Sequence, residues 1–426
     1  MATQHHRRSP VSNPPSRTAA RAGGRVVVIA PDSFKGTIGA SDAARRIAAG
    51  WASVRPQDRL RLLPMADGGE GTLDAFELAL PGATRMPVTV SGPDGRPVDT
   101  HWLLLPDGTG VVELAATSGI TLLDRLRPLD AHTLGFGQAI AAALDQGVTR
   151  LLLAIGGSGS TDGGSGMLRA LGAVLLDSAG RPVPPGGHGL ARLAAVELSG
   201  LRPLPPGGAL VLTDVTSPLL GERGAAAVFG PQKGASPEQV AGLEAGLARW
   251  AAAVGDARAG AEVGAADAGA GVGASAAAVG TGAAAAPGAA AAEIPGAGAA
   301  GGTGFGLLAW GATLAPGADA VAGALGVPAA VRGASVVVTG EGRFDSQSAA
   351  GKVPGYLAAL AADAGAQAML VAGLIEAPTT GFTIAVSLTD LARGRESATR
   401  DAAAWLERAG ARLAASYRPD EFGTTL

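Results

Sequence analysis

Five short polar stretches, each directly following an apolar run, hold most of the residues able to do chemistry in this 426-residue chain. The first, PDSFKG, offers Asp32, Ser33 and Lys35, and the second, MADGGEGT, offers Asp67 and Glu70 among glycines. The third, GGSGSTDGGSGM, presents Gly157, Ser158, Gly159 and Asp162, and the fourth, TDVTSPLLG, presents Asp214. The fifth, TGEGRFDSQSAAGK, carries Glu341, Arg343, Asp345, Gln347, Ser348 and Lys352. Glycine-rich turns let backbone N–H groups approach anionic oxygens, and a following helix N-terminus adds partial positive charge. Carboxylates beside such turns can hold Mg²⁺ through oxygen or take the proton of an attacking hydroxyl. Lysine and arginine neutralise phosphate oxygens or clamp a carboxylate. Together these are the parts that phosphoryl transfer from a nucleotide requires.

Other chemistries fit less well. The chain has no G-x-S-x-G turn for a serine triad and no H-E-x-x-H for zinc, and its five histidines include two in the N-terminal tail. The absence of cysteine removes a thiol nucleophile, a thiolate metal site and a disulfide framework together. There is no Walker A sequence, since Gly351-Lys352 is followed by Val353. A formal G-x-G-x-x-G occurs at Gly296, Gly298 and Gly301. A dinucleotide-dependent oxidoreductase built on it would need a preceding strand and an acidic residue at the end of the next one. Asp319 lies at about the required separation but in APGAD, a loop context. Each polar stretch also has a structural reading: Asp32, Ser33 and Asp162 as helix caps, Gly68, Gly69 and Gly71 as turn formers, Arg343 and Lys352 as surface charges. Five such stretches in one chain are harder to attribute to capping alone.

The elements that must position these loops are those of an α/β fold. Val26 to Ala30 is a continuous apolar run, as in a strand buried on both faces of a parallel sheet. It leads through PDSFKG into SDAARRIAAGWASV, whose Ala44, Ile47, Ala48 and Trp51 follow helical spacing. The strand–loop–helix unit recurs from Arg61, Arg150 and Ala334, with further apolar runs at Ala209 and Ala368. Parallel sheets of this kind gather their loops at the carboxyl ends of the strands, where ligands bind. After Met86 the pattern changes to short alternating strands around a GPDG turn, the mark of a different local architecture. Residues 251–300 contain 25 Ala and 11 Gly, and the expectation is a flexible insertion ending near Glu293.

Composition sets the outer limits. A hydrophobic share of 47% with 16% charged residues supplies a sizeable core, and a net charge of −3 gives no reason to propose a nucleic-acid partner. Residues 1–24 are polar and basic without an apolar segment, so they read as a disordered tail and not as a secretory signal. No apolar run is long enough to span a bilayer, and a cytoplasmic location is expected.

In this order the loops resemble the bacterial glycerate kinase family, the type that phosphorylates D-glycerate. The matching stretches are VVVIAPDSFKGT, PMADGGEGTLDA, VELAATSGI, IGGSGSTDGGSGM, LTDVTSPLLGERGAA, VFGPQKGAS, PGAGAAGGTGFGLLAW and VVVTGEGRFDSQSAAGKVP, spread from about residue 25 to about 375. Two positions depart from the family pattern: Ser160-Thr161 stand where it reads Thr-Asn, and Ser217 stands for an Asn. The resemblance implies two α/β domains: a flavodoxin-like parallel-sheet domain, and a mixed-sheet domain inserted into it. By analogy residues 25–93 and 294–426 form the outer domain, 94–250 the inserted one, and 251–293 the flexible stretch. It also implies ATP as co-substrate, Mg²⁺, glycerate as acceptor and 2-phospho-D-glycerate as product. A 3-kinase, a kinase of another small hydroxy acid, or a silent paralogue that only binds metabolites are the alternatives, and the oligomeric state, monomer or dimer, is left open.

The expected catalytic residues are Asp67, Asp214, Lys35 and Arg343. Asp67 or Asp214 would act as base or metal ligand, and Arg343 would stabilise charge in the transition state. Asp32, Ser33, Lys35, Glu70 and Gln347 are expected at the acceptor substrate. Gly157, Ser158, Gly159, Asp162, Gly298 and Gly301 are expected at the nucleotide phosphates, and Asp214 and Glu341 at Mg²⁺.

Overall fold

Residues 26–31 form a strand because five consecutive apolar side chains with no period of two can be buried only where both faces are covered, and Val27 to Ala30 are fully buried. The computed structural model describes residues 24–34, 36–268, 288–349 and 353–418. Most of the expected N-terminal tail, together with Lys35 and Lys352, lies outside them. The strands are, in chain order, β1 (Val26–Pro31), β2 (Arg59–Leu62), β3 (Thr84–Ser91), β4 (Pro97–Leu104), β5 (Thr109–Glu113), β6 (Arg150–Ala154), β7 (Val174–Leu176), β8 (Ala195–Glu197), β9 (Ala209–Leu212), β10 (Thr313–Ala315), β11 (Val336–Phe344), β12 (Gln367–Ile375) and β13 (Ile384–Ser387).

One sheet runs β13-β12-β11-β1-β2 with every pairing parallel. This is the doubly wound order of flavodoxin-like folds, with its switch point between β1 and β11. Val27 stands opposite Val336, so the two most apolar strands form the centre. Helices α1 (Ala40–Val54) and Ala402–Ser416 cover one face, burying Ile47, Trp51, Leu406 and Leu413 against Val27 and Ile29.

The second sheet is mixed, in the order β10-β9-β6-β5-β4-β3. β10, β9, β6 and β5 are parallel, whereas β4 and β3 run antiparallel. The GPDG turn joins β3 to β4, with the Gly92 amide donating to the Arg96 carbonyl at 2.7 Å. β7 and β8 pair apart from both sheets. A third core lies between the two sheets: Val28, Met65 and Val337 share it with Leu103, Val111, Leu152 and Leu212, and Phe76 of α2 (Thr72–Ala79) sits among them.

Three expected boundaries move. β3 pairs along its whole length with β4, so residues 84–93 belong with the mixed sheet and not with the parallel one. The helix Ala299–Trp310 buries Phe305 and Leu307 in the mixed sheet's core and β10 extends that sheet, so the return to the parallel sheet falls after Ala315 instead of at 294. The expected flexible stretch begins too early as well, because the helix Pro237–Ala268 runs through its residues 251–268 and buries Trp250, Ala251 and Val254. Alanine is the strongest helix former, so a segment poor in distinguishing side chains can still be a regular helix. At the other end Ala291 and Ala292 are buried, and the Ala292 carbonyl accepts the Leu219 amide at 2.8 Å. Residues 269–287 of that stretch lie outside the described residues.

Among the described residues, no helix is long and apolar enough to cross a membrane.

Candidate active site

The loops after β1, β2, β9 and β11 meet at a cleft of two adjoining lobes, of about 440 Å³ and about 900 Å³. Ser33, Phe34, Thr37 and Asp67 line both. The smaller lobe adds Asp32, Asp214, Glu341, Arg343 and Asp345. The larger adds Glu70, Glu113, Gly156 and Gly157, from the glycine-rich turns and the end of β5. The cleft lies at the carboxyl ends of both sheets, with the β1–β11 switch point on one side of it.

Asp32, Asp67 and Asp214 are each oriented by backbone. The Asp32 amide donates to the Gly340 carbonyl at 2.8 Å, which fixes the exit of β1 against β11, and its Oδ1 accepts the Ser33 amide at 2.6 Å. Asp67 Oδ1 accepts the Gly69 amide at 3.1 Å within its own turn. Asp214 follows β9, and its Oδ1 accepts the Gly317 amide at 2.8 Å. Burial pushes the Asp214 carboxyl above its ordinary range; the Gly317 hydrogen bond opposes that, and the negative charges of Asp67 and Asp319 add to it. A carboxylate raised in this way suits a proton acceptor.

β11 is longer than expected. It pairs with β12 as far as Phe344 opposite Ile375, so Glu341 and Arg343 sit on a strand and not in a loop. The Arg343 guanidinium is ion-paired with Glu376, just beyond β12. Asp345 follows the strand and accepts the Ser348 amide at 3.2 Å, and Gln347 falls on the short helix Ser346–Ala349.

The third loop divides. Gly157, with a φ of +75°, lines the larger lobe. Ser158 is buried, its Oγ accepting the Ser160 amide at 3.2 Å, and the Gly159 amide donates to the Ser118 carbonyl at 3.1 Å. Asp162 is fully buried. One oxygen accepts the amide and hydroxyl of Thr133, both at 2.9 Å, and the Gly166 amide at 3.2 Å; the other accepts the Gly164 amide at 3.1 Å. A carboxylate so fully engaged holds the loop together, which replaces the phosphate-cradling role expected of it.

Gly298 and Gly301 are likewise packed against backbone. A Cβ on Gly298 would stand 2.1 Å from the Pro218 carbonyl oxygen, and one on Gly301 would stand 2.0 Å from that of Ser160. Both glycines therefore permit close chain crossings, and the expectation that they meet phosphate gives way to this. The dinucleotide reading loses its conditions too, because the helix Gly288–Ala292 precedes these glycines and Asp319 lies on the helix Gly317–Ala324.

Sequence reasoning passed over two buried charged residues nearby. Glu113 ends β5 and accepts backbone amides from Gly71, at the end of the second loop, and from Leu73, at the start of α2. In the sequence it is an acid closing the apolar run GVVE and opening the matched stretch VELAATSGI, with nothing there to mark its partners. Lys233 is buried, donates from Nζ to the Ser160 carbonyl, and is pushed down to about 8 by burial despite the nearby charge of Asp162. It stands in VFGPQKGAS, where nothing in the sequence marks it as buried.

The oxygen donors of Asp32, Asp67, Asp214, Glu341 and Asp345 around one lobe suit a hard divalent cation. Among the described residues no three acidic or histidine side chains are grouped to hold a metal by themselves.

Comparison with known proteins adds an independent line. The model of the "Glycerate kinase family" matches residues 27–418. A glycerate kinase of Bacillus subtilis (strain 168) is 38% identical over 402 residues, covering 92% of this chain and 97% of the relative. A glycerate 2-kinase of Escherichia coli (strain K12) is 38% identical over 333 residues, covering 77% of this chain and 80% of the relative. Among solved structures, one described as a "putative glycerate kinase 2" from Salmonella typhimurium LT2 superposes with a TM-score of 0.76 at 34% identity, covering 92% of this chain and 98% of that one.

Proposed function

The chain belongs to the glycerate kinase family, and from that premise we propose that it transfers the γ-phosphoryl group of ATP to the 2-hydroxyl of D-glycerate. The observation that carries the reading is the convergence of Asp32, Asp67, Asp214 and Glu341 on one lobe, beside a larger lobe floored by glycine-rich turns. The 2-position is favoured by the name of the Escherichia coli relative, glycerate 2-kinase.

In this reading the acceptor sits in the smaller lobe near Asp32 and Ser33. Asp214, held by the Gly317 amide and raised by burial, takes the proton as the substrate O–H bond breaks. The freed oxygen forms the new O–P bond, the bond from the γ-phosphorus to the bridging oxygen breaks, and ADP leaves. Arg343 on β11 supplies positive charge at the edge of the lobe as negative charge spreads over the transferring group. The turns carrying Gly69, Gly71, Gly156 and Gly157 line the larger lobe, where polyphosphate fits. Asp67 and Glu341 would hold Mg²⁺, which when bound neutralises phosphate charge.

The test is ³¹P NMR of the purified protein with D-glycerate, ATP and Mg²⁺. The expected result is a 2-phosphoglycerate resonance that is lost when Mg²⁺ is omitted. A 3-phosphoglycerate resonance would correct the regiochemistry, and no phosphoester from either enantiomer of glycerate would overturn the reading.

A further inference from the structure

We propose that Glu113 is a positioning residue: from the mixed sheet it holds the loop that carries Asp67 and Glu70 in register for phosphoryl transfer, and it does so only as a carboxylate. The inference rests on the kinase reading for its link to catalysis. The structural link itself stands apart from that reading.

The loop after β2 ends at Gly71, whose φ of +88° suits glycine and which has no side chain to cap α2. The first amides of that helix therefore need an acceptor from elsewhere. Glu113 provides it from 40 residues further along the chain: Oε1 accepts the Gly71 amide at 3.3 Å and Oε2 accepts the Leu73 amide at 3.0 Å. Its side chain is buried, yet it lines the larger lobe together with Asp67, Gly69, Glu70 and Gly71. The same carboxylate thus ties a loop of the parallel sheet to the last residue of β5 in the mixed sheet.

The charge state follows from the surroundings. The titratable groups that line the lobe with Glu113 are Asp67, Glu70 and Asp74 from the loop and start of α2, and His101 from β4; of these, Asp74 and Glu70 act on its charge. Beside it, β6 and the helix Ala115–Ser118 present Ala154, Ala115 and Ala116, which offer no charge. Burial, opposed by the two amides and reinforced by Asp74 and Glu70, pushes the carboxyl up to about 7. Protonation turns one of its oxygens into a donor, so one of the two helix amides loses its acceptor. Glutamine at this position imitates that state at every pH, because its NH₂ must face one of the same amides.

Two measurements on the full chain decide the matter. Hydrogen exchange of the peptide spanning residues 67–76, corrected for intrinsic rates, should show protection that falls several-fold between pH 8 and pH 6. In Glu113→Gln the protection should be low throughout. The pH profile of kcat/KM should carry an acid limb near pH 7 that Glu113→Gln lacks, the variant running at about the acid-limb level of the natural protein. Equal protection in the two proteins at pH 8, or an acid limb that persists in Glu113→Gln, would overturn the proposal. If the variant does not fold, the natural protein's exchange decides alone, and pH-independent protection refutes the link. If the natural protein transfers no phosphoryl group to glycerate, the kinase reading falls while the exchange result still tests the link.

Discussion

The Gly156 amide, leaving β6, donates to the Gly68 carbonyl across 2.8 Å, so the glycine-rich turns of the two sheets are stitched directly to each other. Neither glycine has room for a side chain. A Cβ on Gly68 would stand 2.3 Å from the Leu212 carbonyl oxygen at a φ of +87°, and one on Gly156 would stand 2.5 Å from the Gly69 Cα. Gly68→Ala should therefore cost about 1–3 kcal/mol from backbone strain and displacement, read as a lower Tm. Because Asp67 is the adjacent residue, kcat should fall at least about tenfold as the carboxylate moves. A variant with unchanged kcat and Tm would show that this contact does not position Asp67.

Asp214→Asn tests the proposed base more directly. Asparagine keeps an oxygen to accept the Gly317 amide, so the local fold should persist and Tm should stay within a few degrees. It cannot take a proton, and kcat should drop by at least about 10²-fold, the usual share of general base catalysis. Near-normal turnover in saturating glycerate would remove Asp214 from the chemistry and turn attention to Asp67.

The valine-rich runs of β1 and β11 were legible because a strand buried on both faces must be apolar throughout, and the five polar loops stood out by contrast. The far end of β11 was not, because GEGRF places glycines and charges where a strand ladder still pairs with β12. Residues 251–268 read as a flexible tract although they continue a helix, since alanine-rich sequence says little about packing. The site was legible as a set of loops but not as a set of roles. Asp162 was expected at phosphate because a carboxylate that binds backbone amides inside a glycine-rich turn looks, in sequence, like one poised beside a ligand. The Glu113 link was invisible because its partners are separated by 40 residues and join only when the two sheets meet.

Glu113 also predicts a pH dependence of stability with a definite sign. Its folded value of about 7 lies above the ordinary 4.5, so between these values the folded state keeps a proton that the unfolded chain has released. Stability against global unfolding, which hydrates the carboxyl, is therefore lost as pH rises through that window, by about 3 kcal/mol for a shift of this size. Opening of the 67–76 segment alone leaves Glu113 buried at the end of β5 without its two amide donors, so that local equilibrium runs the other way. His101 and His132, both pushed down by burial, change stability in the opposite direction, so the single protein mixes these effects. The difference in unfolding free energy between the natural protein and Glu113→Gln isolates the carboxyl. That difference should move against the natural protein from pH 5 to pH 7.5, and a flat difference would contradict the raised value.

Asp162 offers the sharpest separation of scaffold from ligand-binding roles. Alanine there would strand the buried amides of Thr133, Gly164 and Gly166 and the Thr133 hydroxyl. Each unsatisfied buried donor costs about 1–3 kcal/mol, and partial relaxation still leaves a loss of about 3 kcal/mol or more. A phosphate-binding residue would behave otherwise: its loss would raise the KM for ATP while leaving the unfolding midpoint near normal, and excess ATP would restore turnover. The structure places Asp162 under the loop, so Asp162→Ala should lower the denaturant midpoint strongly, and saturating ATP should not return kcat to the natural value. A normal midpoint together with rescue by ATP would restore the phosphate role that the sequence suggested.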